Sequence, residues 1–157
     1  MQYHKSWVIL KNGILMLLSD EAITTIRSYA QDEENKPEAG GILLGKRRRN
    51  HFEVIHVTEP TEYDIRSRYH WIRSDKIHSD IAKKYWVESQ GQITYLGEWH
   101  THPETIPSPS TIDLNEWRVL VDKCSHPAGM SMIIGGIDDL WCGIAQKESI
   151  IAMSKVT

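Results

Sequence analysis

The chain has 157 residues, 40% of them apolar and 25% charged, with 18 Lys and Arg against 21 Asp and Glu for a formal net charge of -3. That length supplies one sizeable core and predicts a single domain over residues 1–157. The acidic balance argues against a surface that coats nucleic acid, and no stretch nears the roughly 18 apolar residues of a membrane-spanning helix.

Lys11-Asn12-Gly13 interrupts the apolar run of residues 7–10 before it reaches the length of an export signal. Cys124 and Cys142, the only cysteines, match neither a disulfide framework nor a zinc knuckle, so both are expected reduced and structural. Together these features predict a cytoplasmic protein with no nucleic-acid or membrane partner.

In chain order, residues 7–10 and 14–18 read as strands around Asn12-Gly13, a pair that tolerates the positive φ of a tight hairpin. Ser19-Asp20-Glu21 supplies a helix cap and acidic first turn. Ala22, Ile23, Ile26 and Ala30 then recur at helical spacing up to the polar stretch before Pro37. Residues 39–45 and 52–57 read as strands around a basic turn, Lys46-Arg47-Arg48-Arg49, to which no role is assigned. Residues 61–73 read as strand plus loop. A second helix follows from Ser74, with Ile77, Ile81, Ala82 and Tyr85 on one stripe and an end near Gly91. Residues 93–99 are extended. After a Pro-rich turn a third helix begins near Ser110, carrying Trp117, Leu120, Val121 and Cys124 on one face. Residues 130–137 and 140–145 read as strands joined at Asp138-Asp139, and 149–153 as a last one. Strands interleaved with three helices predict an α/β layered domain whose sheet is mixed, not purely parallel.

The chemistry concentrates between Glu98 and Trp117. On a strand of period two, His100 and His102 project from one face and can reach a single ion. Asp113, in the first turn of the third helix, can add a carboxylate oxygen. Three protein ligands leave a fourth tetrahedral position to water, the arrangement of a catalytic zinc site, and one Zn2+ per chain is expected. The other histidines, including His56, His70 and His126, are not expected to bind it. Taken singly, His-x-His can be exposed polar alternation, Ser-x-x-Asp a helix cap, and Glu38 a surface carboxylate.

The combination resembles the JAMM, or MPN-plus, metalloproteases. Their signature is a Glu, then His-x-His, seven residues and Ser-x-x-Asp, and here residues 103–109 are those seven. Glu38-Ala39-Gly40-Gly41-Ile42-Leu43-Leu44-Gly45 is similar to the family's glutamate strand. The resemblance implies Glu38 as general base and acid, Ser110 as oxyanion donor, and His100, His102 and Asp113 as metal ligands, with Glu98 a weaker candidate. It also implies a single-domain MPN (deaminase-like) α/β fold, a mixed curved β-sheet with about three helices. True deaminases need Pro-Cys-x-x-Cys and thermolysin-like enzymes His-Glu-x-x-His, and the chain has neither.

Within the family the chain is similar to small bacterial members encoded beside ubiquitin-transfer-like enzymes, and among them to the deconjugating peptidases of cyclic-oligonucleotide antiphage (CBASS) operons. That implies hydrolysis of the amide after the C-terminus of a conjugated protein, a nucleotidyltransferase with an extended tail. Release of a ubiquitin-like sulfur-carrier protein, or a non-catalytic MPN interaction module, are the alternatives. Trp99 and Pro107 are expected to crowd the metal and admit only small residues near the cut.

Overall fold

Gly13, at φ +64°, adopts the left-handed conformation that costs glycine little and follows the reversal between β1 (Tyr3–Ile9) and β2 (Ile14–Ser19). The strands pair antiparallel from Ile9 opposite Ile14 to Tyr3 opposite Ser19, so the predicted hairpin forms, although Asn12 lies outside the described residues. The computed structural model describes residues 3–9, 13–124 and 126–156.

The Ser19 hydroxyl accepts from the Ala22 N–H at 3.1 Å and starts α1 (Asp20–Ser28). The helix stops well short of Pro37 because residues 31–36 offer no apolar side chain to bury. β3 (Gly40–Arg48) and β4 (His51–Val57) then pair antiparallel, turning at Arg49 with φ +59°. Most of the basic run is therefore strand, not turn. Cross-strand partners explain the extension: the Arg47 guanidinium lies 5.0 Å over the Phe52 ring, and Arg48 pairs with Glu53 at 2.6 Å.

Residues 61–73 form a small separate hairpin, β5 (Ile65–Ser67) and β6 (His70–Ile72). α2 (Asp75–Glu88) follows, ending where the Gly91 N–H, at φ +79°, reaches the Trp86 carbonyl at 2.7 Å. Its predicted apolar stripe is only half-buried, and His78 is the one fully buried side chain on the helix. After β7 (Thr94–Thr101), α3 (Thr111–Asp122) ends before Cys124, which packs at the margin of the core. β8 (Met130–Gly135) stops short of Ile137, whose N–H turns to the Glu104 carbonyl at 2.8 Å. β9 (Leu140–Gln146), β10 (Ser149–Ala152) and β11 (Ser154–Val156) complete the chain. No described helix is long and apolar enough to cross a membrane. Neither Cys124 nor Cys142 is joined in a disulfide.

The main sheet runs β10-β9-β8-β7-β3-β4-β2-β1-β11, with β2–β4 and β7–β8 parallel and the other pairs antiparallel. β10 and β11 lie at opposite ends of that order yet are separated in the chain by Met153 alone. The sheet is therefore curved enough for one continuous segment to cover both of its edges.

Two clusters fill the two faces. One packs Ala22, Ile23 and Ile26 of α1 against Leu18, Leu43, Phe52, Leu96, Trp99 and Ile133; the other packs Trp117 and Val121 of α3 against Met130, Met132 and Ile134. β7 serves both through an irregularity in its pairing with β3, where Leu43 faces Gly97 but Leu44 faces Tyr95. The extra residue changes the parity, so Leu96 and Trp99 both face the α1 side, while Tyr95 joins the α3 cluster.

Gly97 makes this bulge, at φ +154° and with room for no side chain, since a Cβ would sit 1.7 Å from the Ser131 carbonyl oxygen. Gly97→Ala is therefore expected to destabilise the fold by more than about 1 kcal/mol, through both backbone strain and displacement of β8. A denaturation midpoint equal to that of the parent protein would show the bulge to be dispensable.

Candidate metal centre

Beyond the Gly97 bulge, β7 alternates regularly. Glu98 and His100 face the α2–α3 side with His102 just past the strand end, while Thr101 points the other way. Thr101 is locked there: its hydroxyl donates to Gln31 Oε1 at 2.7 Å and accepts from the Ala39 N–H at 2.9 Å. The turn between His102 and Ser110 is held by the Ile137 and Asp138 N–H groups, which donate to the Glu104 and Thr105 carbonyls at 2.8 and 3.0 Å. Asp113 arrives through a capping box. Ser110 Oγ accepts from the Asp113 N–H at 3.1 Å, and Asp113 Oδ2 accepts from the Ser110 N–H at 2.9 Å. One motif thus starts α3 and fixes the carboxylate rotamer.

The three side chains predicted as ligands converge. His100 Nε2 lies 3.2 Å from Asp113 Oδ1, His102 Nε2 3.1 Å from Asp113 Oδ2, and the two Nε2 atoms lie 3.2 Å apart. An ion with bonds of about 2.0–2.1 Å holds tetrahedral ligands about 3.3–3.4 Å apart, so the spacing fits zinc with little adjustment. The tautomers fit as well. His102 Nδ1 sits 2.7 Å from Glu104 Oε1, and as an N–H donor to that carboxylate it leaves Nε2 as a bare lone pair. These are the only described residues that form such a group, and they could hold a metal ion.

Burial alone would lower the His102 pKa, but the Asp113 and Glu104 carboxylates outweigh it and hold the ring at about 9. Burial alone would raise Asp113, and hydrogen bonds from His100 and His102 outweigh it to hold the carboxyl well below its ordinary range. Without metal, then, the cluster is an ion pair. Burial pushes Glu38 up to about 7, with the charges of His100 and His102 opposing the rise.

Glu38 lies in the segment just before β3 and lines the same groove as His100, His102 and Asp113. Its N–H donates to the Ser67 carbonyl at 2.7 Å, and its carbonyl accepts from Arg66 Nε at 2.9 Å. Glu98 also lines the groove but is engaged by the Arg73 guanidinium, which removes it as a free base. Trp99 and Pro107 do not crowd the metal. Trp99 is fully buried on the opposite face, its indole N–H donating to the Thr58 carbonyl at 2.9 Å, and Pro107 is buried against Gly136. Trp117 of α3 takes that place, its ring 5.9 Å from that of His100. Glu104 was not singled out by the sequence; a carboxylate two residues past a ligating His, across a proline, was the available signal.

The groove has a volume of about 1270 Å3 and runs between α3, with Ile112, Glu116 and Val119, and the β5–β6 turn and β6, with Tyr69 and Ile72. His70 Nε2 and Glu116 Oε1 approach to 3.6 Å across it.

His102→Ala is expected to abolish stoichiometric metal. Glu104→Gln should weaken binding about tenfold, the low end for an orienting carboxylate because Glu104 is half exposed. Competition against a chromophoric chelator measures both. Because His102 is protonated at neutral pH and must lose that proton to ligate, metal uptake should release a proton and tighten as pH rises. In the metal-free protein the raised pKa contributes stability that is complete below about pH 6.5 and lost as pH rises through about 9. Unfolding of the chelated protein across that range checks the sign.

Comparison with known proteins gives the same placement. Residues 20–147 match the model for prokaryotic homologs of the JAB domain. A CD-NTase/cGAS isopeptidase of Pseudomonas aeruginosa is 42% identical over 123 residues, 78% of this chain and 78% of that protein. Proteins of the same description from Escherichia coli and Vibrio cholerae are 36% and 35% identical, covering 89% and 93% of this chain and 88% and 92% of their own lengths. A Desulfitobacterium hafniense protein of known solution structure shares the fold with a TM-score of 0.62, at 22% identity over 88% of each chain. A sheet, a groove and a ligand cluster built in this way, with matches of this extent, mean that the chain belongs to the prokaryotic JAB-domain family.

Proposed function

We propose that the chain is a zinc-dependent isopeptidase that detaches a nucleotidyltransferase from proteins joined to its C-terminus, and that residues 1–157 act as one catalytic unit. The observation that carries the reading is the convergence of two Nε2 atoms and one carboxylate within 3.2 Å, at the wall of an open groove that a half-neutralised glutamate shares. The relatives named CD-NTase/cGAS isopeptidases support the choice of substrate.

His100, His102 and Asp113 would hold the ion, which when bound would supply an acidified water and polarisation of the scissile carbonyl. Glu38, with a pKa of about 7 set first by burial, takes a proton at its carboxylate near neutral pH and can return it to the leaving amine. Ser110 Oγ accepts from the Asp113 N–H, which leaves its own O–H to donate to the carbonyl oxygen as that carbon becomes tetrahedral. The groove suits an extended tail. Among the described residues β6 pairs only with β5, so its outer edge along the groove can take up a strand-like peptide, with Tyr69, Ile72 and Ile112 as apolar flanks.

Incubation with a fusion carrying the nucleotidyltransferase tail, followed by mass spectrometry, tests the assignment. Cleavage is expected directly after the tail's last residue, and chelation should abolish it. Glu38→Gln should retain metal and lose about 10² to 10⁴ in kcat, and Ser110→Ala about 10² to 10³. Preference for a sulfur-carrier tail would reassign the substrate, and tight binding without turnover would indicate an interaction module.

A further inference from the structure

The β5–β6 hairpin holds the backbone of Glu38, yet it pairs over only three residues on each strand and cannot support itself. What fixes it lies elsewhere. The buried Trp71 of β6 lies flat on Gly40, where a Cβ would come within 2.5 Å of the ring, and its indole N–H donates to Asp64 Oδ2 at 3.0 Å. Asp64 is the hub of this corner, its side chain wholly buried. It also accepts from the Thr61 N–H and hydroxyl at 3.1 and 2.8 Å, from the Ser74 N–H at 2.8 Å, and from His78 Nε2 at 3.1 Å.

His78, buried on α2, continues the chain of bonds. Its Nδ1 lies 2.7 Å from the Thr58 hydroxyl, which accepts from the Ile42 N–H of β3 at 2.8 Å. The directions are mutually consistent: Ile42 N–H to Thr58 Oγ, Thr58 O–H to Nδ1, and Nε2–H to Asp64, with a single neutral tautomer of His78. One carboxylate thereby ties the strand that follows Glu38, the hairpin that clamps it, and the first turn of α2. A buried carboxylate with this many donors is ionised, and its partners hold it at a pKa of about 2 against the burial that would raise it.

We propose that Asp64, through Trp71 and His78, is a positioning residue for Glu38. The proposal rests on the reading of Glu38 as the proton-handling group. Asp64 does not line the groove, and its hydrogen bonds go to Thr61, Trp71, Ser74 and His78, not to His100, His102 or Asp113. Its part is to fix the hairpin from which the Ser67 carbonyl and Arg66 guanidinium grip the Glu38 backbone, and so to set where the Glu38 carboxylate stands in the groove. Asparagine at position 64 keeps the shape but turns one acceptor oxygen into a donor, facing N–H groups that have nowhere else to go.

The experiment is a double-mutant cycle on the zinc-loaded full chain, comparing Asp64→Asn in the parent background with Asp64→Asn in a Glu38→Gln background. In the parent background kcat should fall by about 10²-fold, the scale expected for a displaced catalytic group, with KM within about twofold and metal still stoichiometric. In the Glu38→Gln background the same substitution should cost less than about twofold, because the group it positions is already gone. Equal losses in both backgrounds, a loss carried by KM or by metal content, or no loss at all would overturn the proposal. Glu38→Gln at parental activity would instead sink the assignment of the base, a different result read from the first corner of the cycle. If Asp64→Asn fails to fold, Trp71→Phe, which deletes one donor and keeps a ring over Gly40, carries the same comparison with the same criteria.

Discussion

The register of β7, hydrogen-bonded antiparallel to β3 and parallel to β8, is the constraint from which the site follows. Gly40 stands opposite His100, and the pairing continues past the strand end through the Thr101 N–H to the Ala39 carbonyl at 2.9 Å. Carried one step further, that register sets Glu38 beside His102. A slip of one residue would turn both imidazoles into the α1 core and bring Thr101 into the groove. Two glycines allow the register: Gly97 makes the bulge that changes parity, and Gly41 admits the Thr58 carbonyl where a Cβ would come within 2.1 Å.

Electrostatics then explains why the pocket is poised for a cation. Two imidazoles, the Asp113 and Glu38 carboxylates and Glu104 are gathered where the His100, His102 and Asp113 side chains are only 7%, 12% and 10% exposed. Unpaired charges in such a place are costly, and the metal-free protein meets the cost by protonating His102 and by pushing Glu38 toward neutrality. A divalent cation held there would replace that proton with a larger positive charge, and nitrogen and carboxylate donors of this kind suit an ion of zinc's preferences.

Around this rigid centre the walls are unequal in strength. α3 is anchored by Trp117 and Val121 in a continuous apolar cluster, with Trp117 stacked on Trp141 at 5.5 Å. The opposite wall, β5–β6 and the start of α2, has little apolar anchorage beyond Trp71 and depends on the bonds converging on Asp64. A polar hub is more directional than an apolar contact, and losing one member strands its partners. The placement of this wall therefore draws on a short hydrogen-bond network that includes none of His100, His102 and Asp113.

Local sequence pattern was enough to single out His100, His102 and Asp113, which the fold brings together, and to place most of the elements. Period-two alternation places His100 and His102 on one face whatever the fold around them, and Ser-x-x-Asp at a helix start orients Asp113 by local hydrogen bonds alone. The hairpin at Gly13, the cap at Ser19 and the close of α2 near Gly91 were legible for the same reason, because each is decided by φ angles and bonds within a few residues. Tertiary structure alone decided what depends on pairing across the chain. It drew Arg47 and Arg48 into β3 through Phe52 and Glu53, turned Trp99 away from the His100, His102 and Asp113 cluster through the Gly97 bulge, and engaged Glu98 with Arg73. It also decided the meaning of residues 61–73, whose Asp64 and Trp71 show no periodicity. Their partners, Gly40, Thr58 and His78, lie on three other elements, and no local pattern encodes a bond network that only the folded sheet assembles.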